Sequence, residues 1–124
     1  MAVEKPEVDP IDGAPPSDLL VEDLTVGDGE EATPGRSVLV HYVGVAHSTG
    51  EEFDASWNRG EPFRFPLGGG RVITGWERGV AGMRVGGRRR LVIPPHLGYG
   101  NRGAGGAIKP GETLVFVIDL LGVR

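Results

Sequence analysis

The chain has 124 residues, no cysteine and a formal net charge of −4. That length suggests one domain, and the missing thiols exclude a disulfide framework and a thiolate metal centre. No stretch approaches the ~20 apolar residues of a membrane helix, and the opening MAVEKPEVDP lacks the apolar run of a signal peptide, so the expected setting is the cytoplasm, with no membrane partner.

The charge is unevenly spread. Residues 1–35 hold ten acids and one base, Lys5, whereas residues 36–124 hold twelve bases and seven acids. Within residues 1–18 there are four prolines and few large apolar groups, too few to offset the entropy of ordering them. We read 1–18 as an acidic, Pro-rich flexible tail and 19–124 as the folded domain. The tail's charge is of the kind that aids solubility.

Along the domain, VLVHYVGVA (38–46) is rich in β-branched residues, and Val38, Val40 and Tyr42 share a face at the strand period of two. HSTGEE follows as a turn centred on Thr49-Gly50. EFDASW reads as the returning strand, with Glu52 and Asp54 on one face by alternation. Gly60-Glu61-Pro62 interrupts the pattern, FRF resumes it, and Gly68-Gly69-Gly70 forms a joint. Thr74 and Glu77 have the T-x-x-E spacing of a capping box. Trp76, Val80 and Met83 recur at helical spacing, so a helix of about two turns is expected here. That is too short to be stable alone, and it must lean on a sheet. RRRLVIP and TLVFVIDLLGV supply two more strands, the second with Leu114, Phe116, Ile118 and Leu120 on one face. Between them, residues 98–111 contain six glycines, a long loop of the kind that often serves function. The sum is α+β: an antiparallel sheet carrying a helix on one face.

Most catalytic chemistries lack their residues. Gly98-x-Gly100-x-x-Gly103 matches a dinucleotide fingerprint, but AGGAIKPGE follows and cannot open the helix that the fingerprint requires. His41 and His47 are about 20 Å apart at strand rise, and His96 stands alone, so no metal site is expected. No nucleophile elbow is present. Glu51, Glu52 and Asp54 read as solvated charges rather than a paired-carboxylate device. Arg88-Arg89-Arg90 has no interleaved aromatic and makes a poor nucleic-acid surface. Its alternation places Arg88 and Arg90 opposite Leu91 and Ile93, toward solvent. No cofactor and no nucleic-acid partner is expected.

Eight aromatics remain: Tyr42, Phe53, Trp57, Phe63, Phe65, Trp76, Tyr99 and Phe116. By composition alone they could simply fill a core. Their setting is more specific. VHYVG, G-x-x-FDAS, PFRFPLG, RVITGWERGVAGMRVGGRRRLVIPPHLGYG and GETLVFVIDLLGV occur in that order. The succession resembles the FKBP-type peptidyl-prolyl isomerases, the immunophilins that bind tacrolimus and rapamycin, and is most similar to their bacterial single-domain members. The resemblance spans roughly residues 19–124.

It implies a bent antiparallel sheet wrapped around one short helix, with a pocket between them. The matching pocket positions are Tyr42 from HYVG, Phe53 and Asp54 from FDAS, Phe63 from PFRF, Val72, Ile73 and Trp76 from VITGW, Tyr99 from LGYG and Phe116 from LVFVI. The resemblance makes Trp76 the floor. Trp76, Phe53, Phe116, Val72 and Phe63 would enclose a proline ring, and the Ile73 N–H would hold a carbonyl. Tyr99 would offer its hydroxyl at the rim. Tyr42 and Asp54 would form a polar wall, with Asp54 able to pair with Arg59. The implied activity is rotation about X-Pro bonds without nucleophile, base or metal. The implied partners are Pro-containing peptides or folding proteins and macrolides, bound by a monomer. Where many relatives carry a His and a bulky aliphatic over the pocket, this chain has Ala104 and Ala107, so a more open rim is expected. Trp57 would be either an additional rim aromatic or a ring beside the pocket.

Overall fold

A computed structural model describes residues 4–8 and 13–124. Of the acidic segment assigned to 1–18, residues 1–3 and 9–12 lie outside the described residues. The strands are β1 (Leu20–Thr25), β2 (Ser37–Ala46), β3 (Glu52–Ala55), β4 (Phe63–Pro66), β5 (Arg88–Ile93) and β6 (Leu114–Val123). Among the described residues two helices are present, α1 (Ser56–Arg59) and α2 (Thr74–Val80), with a 3-10 turn at Pro95–Leu97.

The sheet is antiparallel, in the order β1-β5-β6-β2-β3. The ten-residue β2 has two partners on its outer edge. Its first half pairs with β4 and its second half with β3. The chain must therefore leave the sheet between β3 and β4, and α1 is that excursion. This split edge bends the sheet around α2, as the family resemblance implied.

One face of the sheet is the core. Val38, Val40, Phe65, Leu91, Ile93, Leu114, Phe116, Ile118 and Leu120 are buried there with Trp76, Val80 and Met83 from α2 and the turn after it. The opposite face has a smaller cluster of Val45, Val92 and Val115, against which Val8 packs. Lys5 also reaches this side, pairing with Glu52 at 3.0 Å and bonding Asn58. Residues 4–8 thus lie along the domain's surface.

Three local expectations are corrected. EFDASW is not one strand: β3 stops at Ala55 and Ser56 starts α1. The capping box does not form, because Ile73, not Thr74, is the cap residue of α2 and no side chain caps it. Glu77 then sits one position too late to reach back, and its carboxylate instead accepts the Gly68 N–H. The arginine run is not a free solvent face either. Arg88 pairs with buried Asp119, Arg89 with Asp23 and Arg90 with Glu22. Arg89 also donates to the carbonyls of Gly79 (2.9 Å) and Ala81 (3.2 Å). Those bonds satisfy acceptors that the end of α2 leaves open and place a cation at the negative end of its dipole.

The sequence reading did not identify β1. All six of its residues are exposed, so it carries no buried face whose period could mark it.

Candidate functional site

The site is built where β2, β3 and β6 meet the start of α2. Gly44 on β2 lies opposite both Phe116 and Asp54. A Cβ there would stand 2.6 Å from the Phe116 ring and 2.7 Å from the Phe53 ring. The missing side chain is what lets both rings lie over the backbone. Beside it the β2–β3 register slips: Gly44 pairs with Asp54 but Val45 pairs with Glu52, leaving Phe53 as the extra residue of a bulge. A bulge interrupts strict alternation. Consecutive Phe53 and Asp54 both face the cavity, while Glu52 turns to Lys5 and Asn58 on the other side. Glu52 and Asp54 therefore do not share a face as alternation predicts.

The aromatic rings interlock edge to face. Trp76 stands 4.9 Å from Tyr42 at 76° and 5.3 Å from Phe116 at 85°. Phe53 meets Phe116 at 5.5 Å and 88°. Such pairs favour this arrangement because each positive ring edge faces a negative ring face. Above them opens a cavity of about 210 Å³, lined by Tyr42, Phe53, Asp54, Phe63, Val72, Ile73, Trp76, Tyr99 and Phe116, with Arg71 as the tenth residue. Trp76 is only 5% exposed, so it is at once a core residue and the cavity floor. Phe63 and Tyr99, 37% and 41% exposed, form the rim. The volume is below the roughly 300–1,000 Å³ of drug-sized sites and suits one ring, with the rest of a larger ligand lying over the rim.

The polar wall is a chain of three groups. Arg59 donates to the Tyr42 hydroxyl at 2.7 Å and to Asp54 at 2.9 Å, and Tyr42 donates to Asp54 at 2.6 Å. Burial works to raise the Asp54 pKa, but the hydrogen bonds from Tyr42 and Arg59 outweigh it and hold the carboxyl below its usual range. Burial, reinforced by the hydrogen bond to Asp54, pushes the Tyr42 phenol up. Both groups keep one charge state across neutral pH.

Ile73 owes its role to the missing cap. Its carbonyl accepts from the N–H groups of Trp76 and Glu77, but its own N–H has no partner among the described residues. That free donor lies at the positive end of α2, on the wall of an apolar cavity.

Trp57 lies apart from this cavity. The turn of α1 carries it to the outer face, where it stacks on His41 at 4.0 Å. His41 Nδ1 lies 2.8 Å from the Ser56 hydroxyl, and Ser56 is fully buried. Ala104 and Ala107 do not line the cavity. Ala104 bridges to Ile108, and Ala107 lines a neighbouring groove shared with Phe53. Arg71 is the lining residue that sequence reasoning missed. Its only signal was adjacency to VITGW.

The environment of His41 yields a prediction. Burial lowers its pKa below the ordinary 6.5, with the nearby Asp119 carboxylate opposing in part. The unfolded chain then binds the proton more readily than the folded one just below pH 6.5. This contribution to stability is present above 6.5, begins to be lost as pH falls below that value, and is gone once pH has fallen through the lowered pKa of the folded state. The melting temperature should decline between pH 7.5 and 5.5, and His41→Gln should flatten the decline. An equally steep fall in the variant would place the titrating group elsewhere.

A short helix seated in a bent antiparallel sheet, with an aromatic cavity between them, defines an α+β fold with an apolar binding hollow. Comparison with known proteins makes the assignment specific. The profile of the family described as "FKBP-type peptidyl-prolyl cis-trans isomerase" matches residues 28–121. An FK506-binding protein of Streptomyces anulatus is 64% identical over 124 residues, covering 99% of this chain and all of that protein. A probable FK506-binding protein of Corynebacterium glutamicum is 53% identical over 119 residues, covering 96% and 98%. The crystal structure of AtFKBP13 superposes with a TM-score of 0.80 at 41% identity, covering 89% of this chain and 96% of that one. That of FkpA from Escherichia coli gives 0.78 at 42% identity, covering 86% of this chain and 48% of that one. The chain belongs to the FKBP-type peptidyl-prolyl cis-trans isomerase family.

Proposed function

We propose that the cavity over Trp76 accelerates rotation about X-Pro bonds in peptides and folding proteins, and that it also accepts macrolides such as tacrolimus and rapamycin. The observation that carries this reading is the pairing of a buried aromatic floor with a backbone donor that has no partner among the described residues, the Ile73 N–H, at its edge. The proposed active form is a monomer.

The barrier to rotation is about 18–20 kcal/mol, because resonance gives the C–N bond double-bond character. Uncatalysed exchange takes roughly 10–100 s. In the planar amide the oxygen carries excess negative charge. That separation disappears when the bond twists by a quarter turn. Water therefore solvates the planar form better and raises the barrier. Trp76, Phe53, Phe116, Val72 and Phe63 enclose the proline and replace that water with apolar surface. The Ile73 N–H and the Tyr99 hydroxyl hold carbonyls of the substrate backbone. Tyr42 and Asp54, fixed by Arg59, orient the chain. Each tenfold acceleration requires about 1.4 kcal/mol. No step moves a proton, so no residue acts as nucleophile or base.

The test is a protease-coupled assay on a Leu-Pro peptide, with and without tacrolimus. Catalytic acceleration that tacrolimus suppresses is the expected result. Stoichiometric peptide binding without acceleration would reduce the site to a binding module. Because the Asp54 pKa is held down and the Tyr42 pKa is pushed up, the rate should vary little from pH 6 to 8. A steep bell within that window would require a proton-transfer group that the scheme does not contain.

A further inference from the structure

Two charged side chains line the cavity, Asp54 and Arg71. They are not equivalent. The carboxylate of Asp54 is engaged by Arg59 at 2.9 Å and by Tyr42 at 2.6 Å, so its charge is matched by a neighbouring cation. Arg71 is exposed and makes no hydrogen bond or ion pair among the described residues. Among the described residues, the cavity mouth is therefore left with one positive charge that no acid pairs. Position matters as well. Arg71 lies two residues before Ile73 in the chain, and both line the cavity. A substrate carbonyl held at the Ile73 N–H brings the side chains flanking the proline within reach of Arg71.

We infer that Arg71 is a specificity-determining residue that favours substrates with a carboxylate side chain next to the proline and disfavours those with a cationic one. The inference rests on the pocket reading above and extends it to the substrate's charge. Arginine suits the task. It stays charged at every physiological pH, and its planar fork can meet a carboxylate with two parallel hydrogen bonds. The contact is solvent-exposed, so the preference is modest and weakens with salt.

The experiment measures isomerisation by NMR exchange in two peptide series, with Glu, Leu or Lys placed immediately before or immediately after the proline. Wild type, Arg71→Ala and Arg71→Glu are compared at low and high salt. In wild type, kcat/KM for the Glu peptide should exceed that for the Lys peptide by about two- to fivefold in at least one series, and the gap should shrink in high salt. Arg71→Ala should remove the gap, and Arg71→Glu should reverse its order. Ratios between peptides on the same variant cancel any change in active fraction. Equal wild-type rates for Glu and Lys in both series would overturn the inference, as would a gap that persists in Arg71→Ala. Wild-type acceleration of the uncharged Leu peptide tests the pocket reading separately. Its loss would count against that reading rather than against Arg71.

Discussion

Trp76→Ala should cost about 3–5 kcal/mol of stability and, in the protein that remains folded, remove most isomerase acceleration. Trp76 is 5% exposed and its ring meets four others: Tyr42 at 4.9 Å, Phe116 at 5.3 Å, Phe65 at 5.6 Å and Phe63 at 6.2 Å. Truncation forfeits those contacts and opens the cavity downward into the core. Water could then enter beneath the bound proline, where the proposed mechanism requires its exclusion. Domains of this kind have a total stability of about 5–15 kcal/mol, so the variant should be measured at low temperature. Trp76→Phe keeps an apolar ring on the floor and should lose much less of both properties. Urea unfolding and kcat/KM on one Leu-Pro peptide make the comparison. A folded Trp76→Ala protein turning over at the wild-type rate would show that the floor is not where catalysis happens.

The elements with a complete signal of their own were legible from sequence. In β6, the continuous apolar run Leu114–Ile118 marks a strand buried on both faces, with Leu114, Phe116, Ile118 and Leu120 on the core side, and Trp76, Val80 and Met83 mark one face of α2 and the turn beyond it. The failures share a physical cause: each depends on a partner far along the chain. β1 is exposed throughout, and only its pairing with β5 makes it a strand. The bulge at Phe53 arises from the register against β2, so alternation within EFDA assigned Glu52 the wrong face. The capping box failed by a single residue, because the orientation of α2 on the sheet, rather than the Thr74 hydroxyl, decides where the helix begins.

The cavity residues were legible by a different route. Their succession of motifs resembled a family, and the structure gathers those positions around one hollow. Part of the electrostatics remained hidden. The pairing of Arg59 with Asp54 was read in advance and is present at 2.9 Å, but no local pattern marked Arg71 as a cavity residue with no partner among the described residues. Trp57 was also ambiguous, since only the turn of α1 determines that it stacks on His41 and not over the cavity.

Gly79→Ala should destabilise the fold by about 1–3 kcal/mol, although alanine favours an isolated helix over glycine by about 1 kcal/mol. The two effects oppose, and geometry decides the sign. A Cβ at Gly79 would lie 2.6 and 2.7 Å from the two methyls of Leu91. Leu91 is fully buried and sits opposite Phe116 across β5 and β6, so it cannot swing aside. One turn earlier, a Cβ at Gly75 would meet Ile93 at 2.5 Å. These two glycines set how closely α2 approaches the sheet, and that approach sets the spacing of Trp76 from Phe116. Relieving the clash requires the helix to lift away, which widens the cavity floor, so isomerase activity should fall together with the melting temperature. Gly106→Ala, where a Cβ meets nothing within 4 Å, is the matched control and should change stability by less than about 0.5 kcal/mol. If Gly79→Ala instead stabilises the protein, as helix propensity alone demands, α2 does not sit that close to β5, and the depth of the cavity must be explained by something other than glycine packing.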